Sequence, residues 1–107
     1  MKALSDIVML DLTHMLSGPY GAMILTDLGA QTIKIEPPGK GEGTRVLLAD
    51  DPKNSMHGMG PYFYTLNRGK KSIVLDLKCE SDRETFLQLV DRADVLVENY
   101  RAGTMRK

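Results

Sequence analysis

The sequence predicts an α/β fold in which a Rossmann-like parallel sheet is flanked by helices. Short apolar runs rich in β-branched residues alternate with segments of helical character, in the order β-α-β-(α)-β-α-β. Strands that alternate with helices are joined by right-handed crossovers and form parallel sheets. The length of 107 residues is enough for one domain.

The first strand, the first helix and the second strand form one βαβ unit. Residues 7–12 are an apolar run typical of a buried strand. A turn follows and leads into a helix over residues 19–28, with Ser17 as its N-cap and Gly29 ending it in a left-handed conformation. Residues 32–35 predict the second strand. The whole unit spans roughly 30 residues, which is the usual size.

The second half of the chain contains a long loop and two further strands. Residues 37–60 are rich in glycine, proline and polar side chains, and loops of this length are usually functional or mobile. Residues 61–67 predict a short helix or turn, and residues 72–77 a third strand. A capping box at residues 81–84 opens a second long helix. Residues 94–97 predict the fourth strand.

The composition excludes several classes of partner. The 14 basic and 14 acidic residues balance, whereas a protein that holds nucleic acid by its phosphates carries a basic excess. No apolar run approaches the roughly 20 residues of a membrane helix, and the first residues hold no apolar stretch of signal-peptide length, so we expect a cytoplasmic or matrix-type location. The single cysteine, Cys79, excludes an internal disulfide, and we expect an ordinary, partly buried thiol.

Three familiar motifs are not satisfied. Residues 39–43 are rich in glycine, but a dinucleotide fingerprint follows the first strand and opens a helix. Residues 69–72 lack the upstream glycine of a phosphate-binding loop, where Tyr64 stands, and a strand rather than a helix follows them. His14 and His57 have no partner at metal-ligand spacing, so we expect no metal.

The carboxyl ends of the predicted strands carry the best candidate site. Ligands of parallel sheets bind outside these ends. Each end is followed by a segment that is polar or rich in glycine: residues 14–18, 36–43, 76–78 and 98–103. The turn over residues 14–19 also lies at a helix start, where N–H groups suit a phosphate or another anion, although glycine and proline at such a turn more often serve the turn alone.

A basic cluster surrounds the third strand. Its members are Arg68, Lys70, Lys71 and Lys78. These cations could bind a polyanionic small ligand, or they could be solvated charges at a sheet edge. From the residues alone, the chain is interpreted as a small-molecule-binding α/β domain.

Six segments carry a further pattern that covers essentially the whole chain. They are residues 8–14 (VMLDLTH), 17–20 (SGPY), 27–39 (DLGAQTIKIEPPG), 43–45 (GTR), 67–78 (NRGKKSIVLDLK) and 93–100 (ADVLVENY). In their order and spacing they resemble the N-terminal part of the class III CoA-transferase family, which includes formyl-CoA, carnitine and oxalate CoA-transferases.

The resemblance implies an activity for a larger protein. Family members have roughly 400 residues, a length at which chains divide into domains, so residues 1–107 would be an N-terminal CoA-binding α/β segment. Members form interlaced homodimers and move CoA between an acyl-CoA thioester and a free carboxylic acid. They do so through an aspartyl anhydride and a CoA thioester. That aspartate lies beyond position 107, so no residue here is assigned as catalytic, and coenzyme A is the only cofactor implied.

The resemblance also assigns contacts with CoA to ten residues. These are His14, Leu16, Ser17, Pro37, Leu75, Lys78, Asn99, Tyr100, Arg101 and Lys107. Leu75 and Lys78 match a segment beside the adenine and the phosphates. Asn99 is polar and follows a strand, and its amide can both donate and accept hydrogen bonds. Lys107 matches a basic position that is arginine in several members.

Two of these positions depart from the family pattern. Leu16 stands where members with side-chain amides have glutamine, which removes one polar contact. Pro37 stands where some members place an arginine on the CoA nucleotide, and Lys40 or Arg45 could supply the missing cation.

Other functions stay open at this point. A 2-methylacyl-CoA racemase of the same family would instead move a proton on the α-carbon, although racemases tend to have proline at the position of Asn99. A non-catalytic, truncated segment that binds CoA or only assembles with a partner is a second alternative. A dehydrogenase domain is less favoured because the glycine fingerprint is missing.

Overall fold

Four parallel strands form the sheet in the computed structural model, which describes residues 2–106. The strands are β1 (Val8–Asp11), β2 (Gln31–Glu36), β3 (Lys71–Val74) and β4 (Val95–Val97), in the spatial order β3-β2-β1-β4. All three pairings are parallel, and β1 lies between β2 and β4. The predicted fold class is therefore confirmed.

Helices cover both faces of the sheet. They are α1 (Ser17–Asp27), the short α2 (Pro61–Leu66) and α3 (Glu80–Arg92). Successive residues of a strand point to opposite faces. Accordingly, Met9 of β1 packs with Ala22 of α1, whereas the next residue, Leu10, packs with Phe86 of α3. None of the described helices is long and apolar enough to cross a membrane.

The end of α1 follows the prediction, and its beginning does not. Gly29 has φ +115°, and the N–H of Ala30 donates to the carbonyl of Leu25 at 3.2 Å, which is the Schellman arrangement. At the other end, Leu16 takes the N-cap position, and its side chain makes no cap hydrogen bond. The predicted Ser17 cap is wrong because the carbonyl of Leu16 already accepts from Tyr20, which places Ser17 inside the helix.

The capping box predicted at Ser81 is also wrong. Cys79 is the N-cap of α3, because the N–H of Arg83 donates to its carbonyl at 2.9 Å. Ser81 therefore lies in the first turn, and the carboxylate of Asp82 accepts from the N–H of Asp76 at 2.9 Å. The Cys79 thiol is exposed rather than partly buried.

The third strand is shorter than predicted. β3 ends at Val74, so residues 75–77 leave the ladder at the carboxyl edge of the sheet. Leu75 still donates its N–H to the carbonyl of Glu36 at 3.0 Å, and its side chain is buried in the core. This departure brings Lys78 to the edge at which the loops after β1, β2 and β4 also lie.

Candidate functional site

Three adjoining hollows lie along the carboxyl edge of the sheet, and Tyr100 contributes to all of them. The first hollow, about 590 Å³, is lined by His14, Met15, Leu16, Ser17, Asn99 and Tyr100. The small hollow, about 160 Å³, is lined by residues 35–38, 75–78 and Tyr100. The third hollow, about 500 Å³, is lined by Leu77, Lys78, Arg83, Phe86, Leu87, Tyr100, Thr104 and Met105.

Asn99 ties the turn after β1 to the segment after β4. Its Oδ1 accepts from the N–H of His14 at 3.0 Å, and its Nδ2 donates to the carbonyl of His14 at 2.9 Å. The amide therefore pairs with His14 as a neighbouring strand would. The His14 ring lies beside that of Tyr100, with centroids 5.7 Å apart and planes tilted by 51°. These contacts form one wall of the first hollow.

The backbone of Met15 has an uncommon conformation. Its φ is +72°, in the left-handed region that residues other than glycine rarely adopt. The Met15 N–H donates to the carboxylate of Glu42, a buried residue on the loop after β2. The same carboxylate accepts from the N–H of Thr44 at 3.0 Å and from its hydroxyl. Glu42 thus joins the loop after β2 to the turn after β1.

A second buried carboxylate, Glu36, anchors that loop in turn. Arg45 donates to it through two nitrogens at 2.6 and 2.8 Å, and it also accepts from the Ser72 hydroxyl and from the N–H of Glu42. Burial alone would raise the pKa of Glu36, but these donors outweigh it and lower the pKa to about 2. The carboxylate is therefore fixed in its charged form at neutral pH.

Arg45 is not free to replace the arginine that some family members have at the position of Pro37. Its guanidinium pairs with Glu36 and also lies 3.8 Å from the centroid of the Phe63 ring. Lys40, on the same loop, is exposed. Lys40 lines none of the three hollows, so neither of the two cations suggested by the sequence is placed at the site.

Lys70 supports the first turn of α1 from inside the protein. Its side chain is 2% exposed, and its Nζ donates to Asp11 Oδ2 at 2.6 Å, to Asn67 Oδ1 at 2.8 Å and to the carbonyl of Pro19 at 3.1 Å. Burial lowers the pKa of Lys70, although Asp11 opposes this shift. A buried charge with three acceptors is a structural group rather than a ligand contact.

Lys34 supports the preceding residues in the same way. Its Nζ donates to the carbonyl of Thr13 at 3.0 Å and lies 3.7 Å from Asp11 Oδ2. Burial would raise the pKa of Asp11, but Lys34, together with hydrogen bonds from Lys70 and Thr13, brings it below its usual value. Asp11 is therefore a structural residue.

The basic cluster predicted around the third strand does not exist as one surface. Arg68 pairs with Asp27 at 2.6 Å, and the Lys70 side chain is buried. Lys71 begins β3, at the opposite end of that strand from the site. Only Lys78 lies at the carboxyl edge, because residues 75–77 carry the chain there.

Eight of the ten residues that the sequence assigned to CoA contacts line these hollows. The first hollow contains His14, Leu16, Ser17, Asn99 and Tyr100. The small hollow contains Pro37, Leu75 and Lys78. Arg101 is exposed and lines none of the three, and Lys107 lies outside the described residues.

Some residues at the edge were not anticipated from the sequence. Met15 lines the first hollow between two predicted contacts, and Arg83 brings a second cation to the third hollow beside Lys78. Glu42 was missed because only the folded loop brings it to Met15. Within residues 2–106, no group of three or more histidine, cysteine or acidic side chains could hold a metal ion.

The fold and its edge define an α/β protein whose loops surround the carboxyl ends of four parallel strands. The chain belongs to CoA-transferase family III, whose model matches residues 4–107. The resemblance noted in the sequence is thereby confirmed.

Two curated relatives are CoA-transferases by name. The chain is 54% identical to the acetyl-CoA:oxalate CoA-transferase of Acetobacter aceti over 92% of its own length and 24% of that protein. It is 50% identical to the succinyl-CoA:mesaconate CoA-transferase of Haloarcula hispanica over its full length and 27% of that protein. A solved CAIB/BAIF family protein of Brucella suis is 36% identical and superposes with a TM-score of 0.88, covering 98% of this chain and 28% of that one. The chain therefore spans about a quarter of the length of these relatives.

Proposed function

We propose that the full-length protein moves CoA between an acyl-CoA thioester and a free carboxylic acid, and that residues 1–107 contribute CoA binding. The supporting observation is the convergence of eight proposed contact residues, from four separate segments, on hollows that adjoin at Tyr100. Membership of CoA-transferase family III and the names of the relatives support the activity.

The character of the hollows fits different parts of CoA. Pro37, beside the buried Leu75, offers apolar surface for an adenine ring. Lys78 lines both the small and the third hollows, within reach of the phosphates. The first hollow, lined mostly by apolar atoms and entered at the start of α1, suits the pantetheine arm or a phosphate at the helix N-terminus. CoA would thus lie across the carboxyl edge, over Tyr100.

The proposed reaction needs a carboxylate nucleophile outside this segment. A carboxylate attacks the thioester carbonyl, CoA leaves as a thiolate, and a mixed anhydride remains on the enzyme. The thiolate then attacks the enzyme's own carbonyl to give an enzyme–CoA thioester and releases the first carboxylic acid. The acceptor acid reverses the two steps. Glu36 and Glu42, the two buried carboxylates described at the site, are already engaged with donors.

A larger assembly is part of the same proposal. The exposed face of α1 carries Leu16, Tyr20, Ile24 and Leu28 at intervals of four residues, each 43–59% exposed. An apolar stripe of this kind normally packs against other protein. We propose that it does so within an interlaced homodimer, and that the 107-residue chain has no transferase activity by itself.

An exchange assay on the full-length protein tests the activity. Acetyl-CoA is tested with oxalate and succinyl-CoA with mesaconate, each thioester labelled in its CoA portion. The label should appear in the new acyl-CoA only when the acceptor acid is present. Incorporation of deuterium at the α-carbon of a 2-methylacyl-CoA without any acceptor would instead indicate the racemase. Turnover by the isolated 107-residue chain would contradict the assignment of the nucleophile to a later segment.

A matched pair of lysines tests the binding site. Lys78→Gln should weaken CoA binding about tenfold, because it removes a phosphate cation worth about one charge-assisted hydrogen bond. Lys71→Gln removes the same charge from the other end of β3 and should leave the Kd unchanged. Calorimetric titration with CoA measures both. Equal effects of the two variants would show that only general charge attraction is involved.

A further inference from the structure

We propose that Glu42 is a positioning residue for CoA binding, acting by holding Met15 in its left-handed conformation. The inference rests on the proposed function of the first hollow. It adds a residue that does not line that hollow but determines the shape of one wall.

The backbone of Met15 is held in an unfavourable conformation. A residue with a β-carbon at φ +72° is strained, and such a conformation persists only where surrounding contacts enforce it. The Met15 side chain is 54% exposed, so side-chain packing does not enforce it. The N–H bond to Glu42 is the hydrogen bond that the structure gives to the Met15 backbone itself, and it is charge-assisted.

Glu42 is itself firmly held. The residue is 1% exposed, and its second carboxylate oxygen is held by the N–H and hydroxyl of Thr44. Its own N–H donates to Glu36 at 2.9 Å, and Glu36 is fixed by Arg45. Glu42 is thus attached at both its backbone and its side chain, so it can impose a conformation on a neighbour.

The contact between Glu42 and Met15 affects the turn that lines the first hollow. Met15 lies between His14 and Leu16, and its φ sets the direction in which the chain enters α1. With Asn99 fixing His14 from one side and Glu42 fixing Met15 from the other, the turn is held at two adjacent residues. Preorganisation of this kind strengthens binding by reducing the ordering that a ligand must otherwise cause.

A double-mutant cycle on the full-length protein tests the inference, with free CoA as the probe. Glu42→Gln keeps the size of the side chain but cannot accept from both Met15 and Thr44, so CoA binding should weaken about tenfold. Met15→Gly adopts a positive φ without strain. In the Met15→Gly background, Glu42→Gln should therefore cost less than about threefold in Kd.

His57→Gly is the matched control, because His57 also has a positive φ, +51°, but lies away from the hollows. It relieves the same kind of strain and should not rescue Glu42→Gln. Equal costs of Glu42→Gln in the Met15 and Met15→Gly backgrounds would overturn the inference, since a purely structural role is indifferent to the backbone freedom of Met15.

Amide hydrogen exchange of the unmodified protein keeps the inference testable if the Glu42 variant does not fold. The Met15 N–H should exchange much more slowly than that of exposed Lys40 on the loop after β2, and equal rates would overturn the inference. If the unmodified protein fails to bind CoA at all, the proposed function falls, whereas the exchange result still decides the Glu42–Met15 contact.

Discussion

Replacing Glu36 with glutamine is the most direct test of how the loop after β2 is held. The pKa of Glu36 is lowered from 4.5 to about 2, which corresponds to about 3 kcal/mol of stabilisation once the carboxylate is charged. Because the folded pKa is depressed, this contribution is complete above pH 4.5 and is lost as the pH falls from about 4.5 to 2. Glu36→Gln removes the charge that Arg45 and Ser72 require.

Urea unfolding, followed by circular dichroism between pH 7 and pH 2.5, provides the measurement. We expect the Glu36→Gln protein to be about 3 kcal/mol less stable at pH 7, with the difference narrowing below pH 4.5. Glu84→Gln, on the exposed face of α3, should change stability by less than about 0.5 kcal/mol. A difference between the Glu36 variant and the unmodified protein that stays constant down to pH 2.5 would refute the reasoning, because its origin would not be the carboxylate charge.

The remaining predictions use pairs of neighbouring positions. Lys70→Met leaves the buried Asp11 with one cation fewer and should lower the free energy of unfolding by about 3 kcal/mol in the same urea assay. Lys71→Met, at an exposed position, should change it by less than about 0.5 kcal/mol. Gly21→Ala adds a methyl group in open space on α1 and should raise the melting temperature, since alanine favours a helix by about 1 kcal/mol. Gly18→Ala, in the same helix, should lower the melting temperature because its β-carbon would lie 2.6 Å from Thr13 Cγ2, and a rise would contradict the packing described.

The fold could be predicted from the sequence because each strand and helix end has a recognisable local pattern. Each strand is a short apolar run, and Gly29 marks the end of α1 without ambiguity. The predictions that were wrong concern the starts of the helices. Ser81 has the right spacing for a capping box, but α3 starts two residues earlier, where Asp82 accepts a hydrogen bond from the N–H of Asp76. Caps depend on where the chain enters a helix, and tertiary contacts decide that.

The candidate site could be predicted from the sequence only in part. The contacts proposed from the family resemblance, such as Ser17 and Lys78, lie at the carboxyl edge, as the rule for parallel sheets requires. The buried state of Lys70 was not foreseeable, since nothing in the local sequence separates it from exposed Lys71. Pairings across the fold, such as that of Glu42 with Met15, have no counterpart in spacing or composition.

The walls of the first hollow come from distant parts of the chain, which affects the order in which the molecule folds. The first hollow needs one contact between residues 27 positions apart, Met15 with Glu42, and one between residues 85 positions apart, His14 with Asn99. Closing the longer loop costs about 1 kcal/mol more chain entropy. On the ribosome, the N-terminal βαβ unit emerges with half of the hollow, and the second wall arrives only with Tyr100. Ligand binding would therefore stabilise the wall that forms last, which contains Tyr100. It would also slow the detachment of that wall during unfolding.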